Sequence, residues 1–390
     1  MRKLILILSL LSSTSIFAQL REGFDPDEAK ALIAMCNSYT FLELYGSDSS
    51  IIPNGYQKTY TSEAAVLDNM FQVYTNDKIG VINFRGSTSK FSSWVENIYS
   101  AMIPANGVIY IDTYKFPYSF AKDTSATVHS GYALALVIFS PILLDQIQKL
   151  NDNGIYDILI TGHSQGGALA NLCRAYLENL PEEKLSSKNK FKSYAFANPM
   201  IGNKNFADEF HERYCETNMS YSIINPADLV PKMPIHYQEE GRLMSFQHLQ
   251  DVVFGKETMD IRKLGLDYVM RKFEIGLTNY INFSNELIEK LISNSYTSIV
   301  MPEYTKDINY YQTGNIRELE PFPYPKILID TTQVSKEELE KLNPDKDGKY
   351  YRKEPSFFQH RPYNYYVAIL KEYFSKEFKE LDPICLPENL

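Results

Sequence analysis

The sequence predicts an α/β fold in which a mostly parallel central sheet carries helices on both faces and accepts an inserted helical segment. Two patterns and one composition argument carry that expectation. Apolar runs of strand length recur at Ile155–Thr161, Lys192–Ala197 and Tyr221–Ile224, and helical patterns lie between them, from Gln165 to about Leu180 and over Phe206–Tyr214. Strands alternating with helices argue a mostly parallel sheet, because each parallel pair needs a crossover long enough to hold a helix. The chain of 390 residues is 44% hydrophobic and 22% charged, enough apolar material for one large domain over residues 19–390 and too much for a disordered chain.

Taken in order, the first 18 residues stand apart. Arg2 and Lys3 precede an apolar run, Leu4–Leu11, and the small residues that follow end at Ala18. That order is expected of an export signal cleaved after Ala18, with a secreted or periplasmic destination. A helix is expected next, capped by Asp25 and carrying Ala29, Leu32, Ile33 and Cys36 on one face. Strand patterns follow at Tyr56–Thr61, Met70–Tyr74 and Ile79–Phe84, the last two joined by the turn residues Thr75–Lys78. Residues 108–120 are rich in Tyr and Phe and suit either an acyl groove or a covered β-ribbon. Residues 257–293 are helical in pattern and interrupt the strand rhythm, which marks an insertion of about 250–305. Its apolar positions cover more than one helix face, so it either buries itself as a hairpin or roofs a site. A last amphipathic helix is expected over Pro362–Phe378.

Charge and cysteine content bound the function. A net charge of −9 provides no basic field for nucleic acid. After the N-terminal segment no stretch reaches the roughly 20 apolar residues of a membrane span, so no transmembrane segment is expected, and a monomer is. Four cysteines in an exported chain permit two disulfides, and their wide spacing excludes a zinc pattern.

The segment with most chemistry is Gly162-His163-Ser164-Gln165-Gly166-Gly167, a Gly-x-Ser-x-Gly pattern between an apolar strand and a helix. Such a turn forces the serine into strained backbone angles, and the flanking glycines let chains approach closely. The serine hydroxyl then stands at a helix N-terminus, where the dipole favours a developing oxyanion.

Four blocks in order, Phe84–Ser89, Val128–Tyr132, Gly162–Gly167 and Asp228–Pro234, resemble those of the class 3 lipases, a family of α/β-hydrolase fold typified by fungal triacylglycerol lipases. The resemblance covers about 25–236 and resumes at about 310–375. It implies a serine carboxylic-ester hydrolase acting on acylglycerol or other lipid esters, possessing no cofactor and making an acyl-enzyme. Phospholipase, feruloyl-type esterase and transacylase chemistry on the same triad, or a catalytically silent surface binder, are the alternatives. Ser164 is the implied nucleophile and Asp228, on a loop after Tyr221–Ile224, the implied acid. His360, just before the closing helix, is the implied base, with His248 as the other candidate. Gln165, the residue after the nucleophile, and Ser87, after the Gly80–Arg85 strand, are the expected oxyanion donors. Phe91, Trp94 and Ile98 lie at helical spacing where the family has a lid, and equally suit a core helix. Relatives that tie the chain ends together imply a Cys36–Cys385 disulfide.

One further pattern is open to two readings. Asn343, Asp345, Asp347 and Glu354 occupy ligand positions of a calcium loop, whereas Asp347-Gly348 alone reads as a hairpin turn.

Overall fold

The structure is a computed structural model, and it describes residues 20–38, 52–65, 68–87, 101–234, 298–307, 309–321, 323–335, 342–354 and 358–381. The expected export signal at 1–18, the lid candidates Phe91, Trp94 and Ile98, His248, and the helical pattern of 257–293 lie outside the described residues. In chain order the elements are α1 (Pro26–Cys36), β1 (Gln57–Thr61), β2 (Phe71–Thr75), β3 (Ile79–Phe84), β4 (Met102–Pro104), β5 (Asn106–Ile111), β6 (Tyr114–Ser119) and β7 (Thr127–His129). They continue with α2 (Ser130–Asp152), β8 (Asp157–His163), α3 (Gln165–Glu178), β9 (Lys190–Phe196), α4 (Lys204–Phe210), β10 (Ser220–Ile224), β11 (Ile299–Val300), β12 (Asn315–Glu318), α5 (Pro362–Tyr373) and α6 (Ser375–Glu380).

Seven strands form the central sheet in the order β1-β2-β3-β8-β9-β10-β12. The β2–β3 hairpin is antiparallel, with Phe71 opposite Phe84, and β1 continues that edge. From β3 onward every pairing is parallel. Alternation along the strands divides the core in two. Phe71, Ile82, Phe84, Ile158 and Ile160 face α2 and α3. Tyr74, Val81, Leu159, Tyr194 and Phe196 face α1 and α5. Because side chains two apart share a face, one strand serves both layers.

Lys192 also points to the α1 face, fully buried. Its ammonium meets Glu28 Oε2 at 2.6 Å and the Arg21 carbonyl at 2.9 Å. Tyr194 donates to the same Glu28 oxygen at 2.6 Å. These contacts seat α1 on the sheet and supply the partners that a buried cation requires.

Three features depart from the sequence reading. The Tyr/Phe-rich stretch is a β-ribbon, β5–β6, joined by β11 into a separate antiparallel sheet. It is only partly covered, since Tyr110 is 45% and Tyr114 69% exposed. The helix α2 had no counterpart in the sequence reading. By length and composition alone it is apolar enough to cross a membrane, yet 72% of its most apolar window is buried against the core. The closing helix is two helices, broken at Phe374, whose φ of −129° and ψ of 58° are not helical.

Cys385, the expected disulfide partner of Cys36, lies outside the described residues. Cys36 is a free, buried thiol donating to Asn83 Oδ1 at 3.3 Å. Burial pushes its pKa up to about 12, so thiolate is scarce at neutral pH. Iodoacetamide at pH 8 is therefore expected to leave Cys36 unmodified in the folded chain and to alkylate it in denaturant without any reductant. Peptide mapping decides this: alkylation only after reduction would show the disulfide.

Candidate active site

The parallel sheet delivers Ser164 and Asp228 to the C-terminal ends of β8 and β10, where the backbone diverges and leaves room for a site, and the turn before α5 brings His360 to them. Ser164 follows β8 directly. Its φ of 60° and ψ of −129° place a non-glycine residue in a costly region of backbone space. The neighbours make the turn possible. A Cβ on Gly162 would collide with the Gly166 carbonyl, and one on Gly166 with the Phe84 carbonyl. The Ser164 N–H donates to the Phe196 carbonyl at 2.9 Å, and its own carbonyl accepts from Gly167 and Ala168 as α3 begins.

Asp228, the expected acid, stands on the loop after β10. Asp228 N–H donates to the Asn225 carbonyl at 2.9 Å, and Asp228 Oδ1 accepts the Val230 N–H at 3.0 Å. The histidine ends a 3-10 turn, Phe358–His360, immediately before α5. His360 Nε2 lies 2.8 Å from Ser164 Oγ and Nδ1 lies 2.8 Å from Asp228 Oδ2. The tautomer protonated at Nδ1 satisfies both contacts, donating to the carboxylate and accepting the serine proton. Residues 64 and 132 positions apart thus form one continuous hydrogen-bonded line. Asp228 is 2% exposed and Ser164 6%, so the line runs through a largely dry region in which its electrostatics are strong.

The remaining expected residues fall beside this line. Gln165 opens α3, so its N–H belongs to the first turn of a helix, which has no intrahelical acceptor. Ser87 follows β3, and its hydroxyl donates to Gln165 Oε1 at 2.8 Å. Gly86 between them packs so closely that a Cβ there would lie 2.7 Å from the His163 carbonyl. Among the described residues, then, Ser164, Asp228, His360, Ser87 and Gln165 converge. The other elbow histidine, His163, turns its ring onto His360, centroids 4.7 Å apart, and onto Tyr365 at 5.6 Å. Its Nε2 is buried without a hydrogen-bond partner.

Tyr365 and Asn225, outside the expected set, hold Asp228 and the turn that carries His360. Tyr365 O–H donates to Asp228 Oδ2 at 2.8 Å, and its oxygen accepts the Asn225 N–H at 3.0 Å. Burial and the Asp228 charge hold its pKa well above the usual tyrosine value, so it remains a donor. The Asn225 amide donates to Gln359 Oε1 at 2.7 Å, tying the acid's loop to the histidine's turn. A Pro-preceding asparagine in a turn and one tyrosine among 29 carry no sequence signal for such roles. His129, in the second of the four blocks, caps α2 by accepting the Tyr132 N–H at 3.3 Å.

In the segment with two readings the backbone forms the turn. Gly348 N–H donates to the Asp345 carbonyl at 2.8 Å, and Asp345 N–H to the Lys349 carbonyl at 2.8 Å. Lys326 occupies Asp345 Oδ2 at 2.7 Å and Tyr351 occupies Asp347 Oδ2 at 2.6 Å. Among the described residues no group of three or more His, Cys, Asp or Glu is placed to hold a metal.

A doubly covered parallel sheet with a Ser–His–Asp line at its strand ends is an α/β-hydrolase fold. Residues 81–238 match the family described as Lipase (class 3). Over 79 residues it is 33% identical to Lipase ZK262.3 of Caenorhabditis elegans, covering 20% of this chain and 21% of that one. Over 161 residues it is 27% identical to a lipase of Rhizomucor miehei, covering 41% of this chain and 38% of that one. The matches thus span well under half the length of these relatives. Solved structures similar to it include the native Rhizomucor miehei lipase propeptide complex, with 22% identity over 55% of this chain and 65% of that one and a TM-score of 0.40. Lipase II from Rhizopus niveus is 23% identical over 54% of this chain and 74% of that one, with a TM-score of 0.41.

The buried His163 makes stability depend on pH. Burial, then the neighbouring His360, lower its pKa well below the ordinary 6.5. The unfolded chain takes up that proton near 6.5 and the folded site resists it. Below 6.5 the unfolded state therefore binds more protons, and stability falls as pH falls. Above 6.5 the contribution is fully present. Chemical denaturation at pH 7.5 and 5.5 is expected to show a smaller pH-dependent loss for His163→Gln than for the parent chain. An identical loss in both would contradict the assignment of a neutral, buried imidazole.

Proposed function

We propose that the protein is an exported carboxylic-ester hydrolase that cleaves lipid esters, acylglycerols foremost, through an acyl-enzyme on Ser164. The observation that carries this reading is the unbroken line from Ser164 Oγ through His360 to Asp228, with 2.8 Å at each step. A serine hydroxyl attacks an ester only when a base removes its proton. His360 Nε2 is within reach to take it as Oγ bonds to the acyl carbon, and the Asp228 carboxylate orients the imidazole and stabilises the imidazolium.

The negative charge that forms on the carbonyl oxygen meets the Gln165 and Ser87 N–H groups and the N-terminal dipole of α3. Collapse breaks the acyl–oxygen bond, and the imidazolium passes its proton to the departing alkoxide. Water then adds to the acyl-enzyme, losing its proton to His360. The second tetrahedral species collapses to the carboxylic acid, and the same proton returns to Ser164. No step calls for a cofactor. Export is supported by the basic, apolar and small-residue order of residues 1–18. A lipid substrate is supported by the family segment at residues 81–238.

The experiment is a pair of variants on a substrate panel. Ser164→Ala and His360→Ala are each expected to lower hydrolysis of a soluble short-chain ester by at least about 10³-fold while the chain stays folded. The parent enzyme is expected to turn over emulsified long-chain triglyceride faster than the short ester. Retained hydrolysis in folded Ser164→Ala would overturn the mechanism. Hydrolysis of the short ester, or of a phospholipid or feruloyl ester, without hydrolysis of triglyceride would overturn the substrate assignment.

A further inference from the structure

We propose that the Gln165 side chain, held in turn by Asn69, is the positioning group that fixes Ser87 in the oxyanion hole. The inference rests on the ester-hydrolase reading above and adds two positioning residues to it. Ser87 lies on a loop, and loops need tethering if a donor is to meet a developing charge. The tether is on the page. Ser87 O–H donates to Gln165 Oε1 at 2.8 Å, and Gln165 Nε2 donates to Asn69 Oδ1 at 2.6 Å. A carboxamide has an acceptor at one end and donors at the other. By engaging the amide end, Asn69 decides that the oxygen end faces Ser87. Gln165 and Asn69 are each 1% exposed, so water does not compete for these bonds.

Asn69 is itself held from both sides. Its carbonyl accepts the Ala65 N–H at 2.9 Å. Its neighbour Asp68 pairs with the Arg85 guanidinium at 2.9 Å, side chains 5% and 14% exposed. Arg85 stands two residues before Ser87, and its N–H donates to the Met70 carbonyl at 2.9 Å. The oxyanion loop is thus bound to the start of β2 at both Arg85 and Ser87. Asp68 adopts a φ of 64°, a costly conformation for a residue other than glycine. In this arrangement the Ser87 hydroxyl proton is committed to Gln165, so Ser87 serves the oxyanion with its main-chain N–H. Asn69 and the Gln165 carboxamide touch no reacting atom and act only by holding that N–H in place.

A double-mutant cycle on the full chain separates this role from general support. The variants are Asn69→Ala, Ser87→Ala and the pair, assayed on a soluble short-chain ester, with active sites counted by fluorophosphonate titration. Ser87→Ala removes the hydroxyl and leaves the N–H. Because small misplacements of a catalytic group cost up to about 10²-fold, each single variant is expected to lose about 10-fold in kcat with KM within about twofold. The pair is expected to lose no more than either alone. If Asn69→Ala does not fold, the near-isosteric Gln165→Met takes its place in the same cycle. Losses that multiply in the pair, an Asn69→Ala enzyme with unchanged kcat, or a change confined to KM would each overturn the relay. Ser164→Ala run alongside distinguishes the two failures. If it is inactive while the cycle is additive, only the relay falls. If it hydrolyses the ester, the ester-hydrolase reading falls with it.

Discussion

The site depends on the turn at Ser164, where β8 becomes α3 within one residue. The turn holds a non-glycine residue at φ 60°, a conformation costing of order 1–3 kcal/mol that persists only where its surroundings over-determine it. Here they do. Gly162 and Gly166 lie against backbone carbonyls with no space for a Cβ. The Ser164 N–H is held by the end of β9 and its carbonyl by the first turn of α3. The strain is therefore carried by the two central strands, β8 and β9, and by the helix that covers them, which are buried along almost their whole length. Every other contact of the site is referenced to the direction this turn gives the Ser164 hydroxyl.

Around the turn lies a shell of buried polar side chains joining loops that are remote in sequence. Tyr365 and Asn225 bind the acid's loop to the histidine's turn. Asn69 and Gln165 bind the start of β2 to the elbow. His163 lies between, its ring against His360 and Tyr365. Individually, such hydrogen bonds contribute about 1 kcal/mol net. Their larger effect is to remove freedom from three loops that must agree in position to within fractions of an ångström. The two hydrophobic layers supply the stability against which that ordering is set, one formed by α2 and α3 and the other by α1 and α5.

What the sequence made legible follows from where its signals are local. The elbow, the β2–β3 hairpin and the apolar strands β8, β9 and β10 each carry their pattern within a few residues, and the structure forms all of them. Ser164, Asp228 and His360 stood out because each sits at a strand end or before a helix within a recognisable block. Asn69, Asn225 and Tyr365 did not. Their partners lie 96, 134 and 137 residues away, and nothing adjacent to them marks the pairing. The strand β12 was missed because Asn315-Ile316-Arg317-Glu318 has no apolar alternation. It is a strand only by pairing with β10 at the sheet edge. The helix α2 escaped notice because it is apolar nearly all round and contains Pro141, features that blur a one-faced helical pattern. The Cys36 thiol meets Asn83 and Thr161, and its expected partner Cys385 lies outside the described residues.

The central claim is that the geometry at the elbow makes Ser164 the nucleophile and His360 its activator. The most direct measurement is stoichiometric labelling with a fluorophosphonate, followed by peptide mapping. The account expects one adduct per chain, on the peptide containing Ser164, forming at least about 10²-fold more slowly when His360 is replaced by alanine. A folded chain that takes no label, takes it on another serine, or labels as fast without His360 would contradict it.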